Sequence, residues 1–104
     1  MLIEILTVAD CPNGAVAGQR VHAALAGLGQ GGDVVERRVG DAAEAAAAGM
    51  AGSPTILVDG ADLFATPGQE ASLSCRLYRD GDAVTGAPTV AQLRVALAAG
   101  GGGR

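Results

Sequence analysis

At 104 residues the chain suits one domain with a modest core, and its net charge of −4, with no basic run, argues against an electrostatic nucleic-acid footprint. No apolar run approaches the roughly 18 residues needed to span a bilayer, and Met1 leads straight into an apolar segment without a signal-peptide layout, so the expectation is a cytoplasmic protein with no membrane partner. Two cysteines are too few for a secreted disulfide framework, and one histidine without a short Cys-x-x-Cys gives no reason to expect a metal or cofactor.

Leu2 to Val8 is aliphatic and β-branched, a short buried strand by composition and length. Asp10 and Cys11 follow, then Pro12, which suits the first helical position because the amide it lacks would have been unpaired there. Ala17, Val21, Ala24, Leu25 and Leu28 share one helical face, and Gly29 closes the helix. The flexible connector 29–33 leads to a second strand, 34–39, completing a βαβ unit with parallel strands. Gly40 breaks that strand, and Asp41 with Glu44 three residues on caps an alanine-rich helix to about Ala48. Such a face buries little surface.

Gly52-Ser53-Pro54-Thr55 precedes an apolar run ending at Val58, and Asp59-Gly60 then marks a hairpin, since a type I′ turn needs positive φ at both central positions. This predicts strands at 55–58 and about 61–64. The stretch 65–87 has no clear period and reads as a long loop, with 74–79 as a candidate extra strand and Asp80-Gly81 as a turn. Thr89 and Gln92 form a capping box, and Val90, Leu93 and Leu97 make the stripe of a last helix ending at Ala98. The Gly-rich tail 99–104 reads as disordered, leaving 1–98 as a single domain. With Phe64 and Tyr78 as its only aromatic residues, the core rests on Leu, Val, Ile and Ala.

The chemistry centres on Cys11. A thiol at a helix N-terminus meets unpaired N–H groups and the positive end of the helix dipole, and both favour thiolate. Free cysteine is also a common small buried hydrophobe, but a Pro-started helix edge is a poor place to hide one. His22 lies eleven residues along the helix, about 16 Å from Cys11, too far for a Cys–His pair.

The order βαβαββα, a cysteine opening the first helix and a proline just before the third strand together resemble the thioredoxin-like superfamily. Asp10-Cys11-Pro12-Asn13 stands where thioredoxins and glutaredoxins keep Cys-x-x-Cys or Cys-x-x-Ser, and Ser53-Pro54-Thr55 with the Asp59-Gly60 hairpin resembles the cis-proline loop. The likeness covers residues 1–64 and 88–98, and extends to small bacterial relatives, some labelled alkylmercury-lyase-like. It implies an α/β fold with a four-stranded mixed sheet, helices on both faces, and a long loop before the last helix. It further implies that Pro54 is cis and presents its backbone beside Cys11, with Pro12, Asn13, Ser53, Pro54 and Thr55 contacting substrate. The departure is at Gly14, where the family places a second cysteine or serine, so a dithiol within this turn is excluded.

Cys75 is the remaining thiol. If the excursion from Ala65 folds over the turn, a Cys11–Cys75 bond closes a loop of about 65 residues, worth ~4 kcal/mol in the chain-entropy model. If 74–78 is a regular fourth strand, Cys75 lands far away. Arg76 and Arg79 flank this thiol, and Arg76 is a candidate for holding a carboxylate or glutathione-like partner, or a solvated loop charge. Asp10 either opposes thiolate formation, if its side chain points inward, or caps the helix, and Tyr78 either contacts the site or supplies scarce apolar area.

Three functions stand open from the sequence. The first is a thiol-disulfide oxidoreductase, with Cys11 as nucleophile, Cys75 or an external thiol such as glutathione as resolving group, and a thiol or protein disulfide as substrate. The second is binding of a soft metal, mercury or copper, by two thiolates. The third is a non-catalytic thioredoxin-fold interaction module.

Overall fold

The computed structural model describes residues 1–99, so the expectation of a disordered tail falls, beyond Ala99, outside the described residues. The elements are β1 (Leu2–Thr7), α1 (Pro12–Leu28), β2 (Asp33–Arg38), α2 (Ala42–Ala48), β3 (Ala51–Ser53), β4 (Thr55–Val58), β5 (Ala61–Asp62), β6 (Ser72–Cys75), β7 (Tyr78–Asp80), β8 (Ala83–Thr85) and α3 (Val90–Ala98).

The main sheet is four-stranded and mixed, in the order β2-β1-β4-β5. β1 runs parallel to β2 and antiparallel to β4, and β4 is antiparallel to β5. Because side chains alternate along a strand, each central strand feeds two cores. Ile3 and Ile5 of β1, with Ile56 and Val58 of β4, pack against Ala17, Val21, Ala24 and Leu25 of α1 and Leu93 and Leu97 of α3. On the other face, Leu6 and Leu57 pack with Val39, Met50 and Ala45, the last from α2. Three helices therefore cover both faces, and the small α2 face is completed by Met50, which is fully buried.

Local signals set the element ends. α1 begins with Pro12 at its first position and ends at Gly29 in the left-handed region, φ 66°. Asp41 accepts from the Glu44 amide at 2.8 Å, while Glu44 accepts from the Gly40 amide at 2.9 Å. The capping box of α3 is present in both halves, between Thr89 and Gln92. Asp59 (φ 49°) and Gly60 (φ 89°) form the left-handed pair the hairpin requires, and the Asp59 carboxylate also accepts from the Leu2 amide at 2.8 Å.

Three expectations are corrected. The second strand covers Asp33–Arg38 rather than 34–39; Val39 follows it as a buried core residue whose amide still donates to the Thr7 carbonyl at 2.8 Å. The hairpin's second strand stops at Asp62, because Asp62 turns its carboxylate back to accept from the Phe64 amide at 3.0 Å.

The third correction concerns 65–87, which is not a structureless loop. It contains β6, paired in parallel with β3, and the antiparallel hairpin β7–β8. The element order is accordingly richer than βαβαββα, with two small two-stranded sheets beside the main one.

Candidate active site at the β1–α1 turn

The carboxyl end of β1 and the amino end of β4 lie side by side, since Leu6 is registered with Thr55. Each strand leads into a loop there: β1 into Val8-Ala9-Asp10-Cys11, β4 back into Ser53-Pro54. Val8 joins them. Its amide donates to the Ser53 hydroxyl at 3.1 Å, and its carbonyl accepts from the Cys11 amide at 3.3 Å. One residue's two peptide groups thus hold the cysteine turn and the proline loop together.

Asp10 takes a positive φ of 61°, which turns the chain sharply before the helix. Aspartate tolerates this conformation better than most residues. Against the expectation that Asp10 caps the helix, the cap position belongs to Cys11 itself, at φ −77° and ψ 113°, and no side chain caps the helix through a hydrogen bond. Pro12 supplies no amide hydrogen, and the Gly14 amide donates to the Cys11 carbonyl at 3.3 Å. Cys11 is partly exposed, Pro12 exposed and Asn13 half-buried. Asn13 leans on the loop before α3: a Cβ added to Gly86 would lie 2.3 Å from its Nδ2.

Gly14 is buried, and a Cβ there would lie 2.7 Å from the Thr7 Cγ2 methyl. The Gly14 position in this turn is therefore closed by the approach of α1 to the Thr7 side chain of β1. Glu36 Oε2 comes within 3.8 Å of the same point. Glu36 was not among the expected site residues; its placement follows from the parallel register Ile5↔Glu36, which turns it toward α1. His22 is exposed, as its place on the helix required.

The Ser53–Pro54 bond is cis, the geometry the resemblance led one to expect. Gly52 precedes it at φ 115°, and a Cβ there would come within 2.9 Å of Arg76 Cβ, so only glycine fits between the two strands. Ser53, Pro54 and Thr55 are all buried. Thr55 Oγ1 donates to the Gly52 carbonyl at 2.5 Å and accepts from the Ala51 amide and the Arg76 guanidinium. Its hydroxyl is committed to shaping the loop rather than contacting substrate.

Cys75 lies at the outer edge of this loop. It is the register partner of Ser53 in the β3–β6 pair, and the following Arg76 amide donates to the Ser53 carbonyl at 3.0 Å. Both cysteines are free, Cys75 the more exposed. Both connect to Ser53, Cys11 through the Val8 peptide groups and Cys75 through the parallel ladder. Among the described residues no group of three or more His, Cys, Asp or Glu gathers in one place.

Arg76 differs from the expectation. Its Nη1 lies 2.8 Å from Asp62 Oδ2, in a pair whose side chains are 9% and 7% exposed, and its Nη2 donates to the Phe64 carbonyl at 2.7 Å. The guanidinium is spent on tying the 65–87 excursion to the edge of the main sheet, not free for a substrate carboxylate. Tyr78 does more than fill space. It is buried, its hydroxyl donates to the Pro54 carbonyl, its ring meets Phe64 edge-on at 5.4 Å, and Arg76 Cζ stands 5.0 Å from the ring centre. Burial pushes the phenol's pKa well above its ordinary value, with Arg76 opposing the rise and Asp62 adding to it.

Asp62 and Val8 are the supports that sequence reasoning did not single out. Asp62 carried a weak signal as an acid at the end of a predicted hairpin; Val8 carried none, because it acts through its backbone. No helix among the described residues is long and apolar enough to cross a membrane. No protein-family model, curated protein or solved structure matches the chain.

Proposed function

We propose that this chain is a thioredoxin-like thiol-disulfide oxidoreductase of a reducing compartment such as the cytoplasm, with Cys11 as its nucleophile. The reading rests above all on the Val8 bridge, which fixes a helix-capping cysteine beside the Ser53-Pro54 loop. Anions are favoured at a helix N-terminus, so a sulfur that must carry negative charge as it attacks and departs is well placed there.

In the reaction, the Cys11 thiolate attacks one sulfur of a substrate disulfide. A Cys11–substrate disulfide forms and the other substrate sulfur leaves as thiolate, taking a proton from solvent. A second thiolate then attacks the Cys11 sulfur and releases the remaining substrate sulfur as a thiol. Gly14 cannot supply that second thiol. Cys75, paired in register with Ser53, is one source, and glutathione or another external thiol is the other. Net, the substrate disulfide gains two electrons and the sulfurs of Cys11 and the resolving thiol lose them. Those two sulfurs end as a disulfide that further external thiol, such as glutathione, reduces before the next turnover.

The test is exchange with glutathione and a small model disulfide, read as mixed disulfide on the intact protein by mass spectrometry. The expected results are a Cys11-linked adduct in the native chain, loss of turnover in Cys11→Ser, and accumulation of that adduct in Cys75→Ser if Cys75 resolves it. Turnover undiminished in Cys11→Ser refutes the proposal.

A further inference from the structure

We infer that a cavity lined by neither cysteine is a binding site for a small aromatic carboxylate. The cavity has a volume of about 460 Å³ and lies between the segment after β5, strand β7 and helix α3. That volume falls within the range of small-molecule sites, roughly 300–1,000 Å³. Phe64, Arg76, Leu77, Tyr78, Arg79 and Gln92 are among the residues lining it.

The lining has an aromatic corner and one sign of charge. Phe64 and Tyr78 pack edge to face at 5.4 Å, and Leu77, 69% exposed, offers an apolar side chain at the surface. In a chain of net charge −4 whose aromatic residues number two, both aromatics and two of the seven cationic side chains meet at this one cavity, and among the described residues no carboxylate side chain lines it. Asp62 pairs with Arg76, whereas Arg79 is exposed and makes no ion pair among the described residues. An uncompensated guanidinium beside an edge-to-face aromatic pair suits a planar apolar body carrying an anionic group.

The frame is also held in place. Gln92 accepts from the Thr89 amide and donates to the Arg79 carbonyl at 2.6 Å, fixing β7 against the start of α3. Gln69 accepts from the Thr66 amide at 2.9 Å and donates to Asp62 at 3.0 Å, which holds the opposite rim. The site therefore exists before any ligand arrives, which lowers the ordering cost of binding.

The experiment titrates naphthoate, and separately the uncharged naphthalenemethanol, into the isotope-labelled full chain while backbone amide resonances are followed. The expected result is saturable shifts centred on Phe64, Leu77, Arg79 and Gln92 for naphthoate. The alcohol is expected to bind roughly fivefold more weakly, as is naphthoate to Arg79→Gln, the scale of one partly exposed ionic contact. Arg79→Lys is expected to keep most of the affinity. Neither variant touches Cys11 or the proline loop, so the result is independent of the redox proposal. Absence of saturable shifts, equal affinity for acid and alcohol, or shifts centred instead on Ala91, Val95 and Ala99 overturns the inference.

Discussion

Gly14→Ala tests whether the turn is closed to a second side chain by packing. Taken alone, exchanging glycine for alanine in a helix is worth up to about 1 kcal/mol. At this position the new methyl lies 2.7 Å from Thr7 Cγ2, about 1 Å inside an ordinary carbon–carbon contact. Overpacking of that kind costs about 1–3 kcal/mol. The predicted balance is a loss of about 1 kcal/mol, or roughly 5 °C in Tm for a domain of this size. Thr7→Ser removes the offending methyl and leaves Thr7 Cβ, at 3.4 Å, as the nearest atom. In that background Gly14→Ala is predicted to be neutral or stabilising, with a coupling of about 1–2 kcal/mol between the two positions. Urea denaturation of the four proteins measures it. A stabilising Gly14→Ala in the native background refutes close packing against Thr7 as the reason this turn lacks a second thiol.

Asp62→Asn strands the Arg76 guanidinium, a pair buried on both sides, and is predicted to cost about 3 kcal/mol in denaturant-derived stability; a change under about 0.5 kcal/mol contradicts that placement. Tyr78→Phe leaves the Pro54 carbonyl without its donor, a predicted loss of about 1–2 kcal/mol by the same measurement. The Tyr78 phenol, raised by burial, also sets a pH dependence. Its folded-state pKa exceeds the unfolded one, so its contribution is fully present below about pH 10 and falls as pH rises beyond that. Because the chain has one tyrosine, tyrosinate absorbance reads this group directly: ionisation is predicted to accompany alkaline unfolding, and a phenol that titrates near pH 10 in a folded chain refutes its burial. Thr89→Ala removes the α3 cap and is predicted to cost about 1 kcal/mol, again in urea.

The parts of the fold legible in the sequence are those governed by local chemistry. Pro12 and Gly29 bracket α1, the Thr89–Gln92 box opens α3, and Asp59-Gly60 turns β4 into β5; each acts within a few residues. The 65–87 stretch was legible only at the Asp80-Gly81 turn, which closes the β7–β8 hairpin, and otherwise opaque for the opposite reason. Strands β6, β7 and β8 have four, three and three residues, too few to display a period. They are held by contacts distant in sequence, Arg76 to Asp62 and Tyr78 to Pro54, separated by 14 and 24 residues.

The site divides the same way. Cys11 at a Pro-started helix is visible in the sequence, whereas the burial of Thr55, the internal engagement of Arg76 and the alignment of Cys75 with Ser53 depend on that long-range pairing. The position of Gly14 was legible, but its cause was not, since Thr7 reaches it only once α1 lies across β1.

The most direct test of Cys11 as an activated nucleophile is its alkylation rate against that of Cys75 in the native chain at neutral pH, resolved by peptide mass spectrometry. Exposure alone favours Cys75, the more open of the two thiols. The predicted order is the reverse, Cys11 faster by about tenfold, because the helix N-terminus supports charge on its sulfur. If Cys75 reacts faster, with Cys11 gaining speed only on unfolding, the central claim is contradicted.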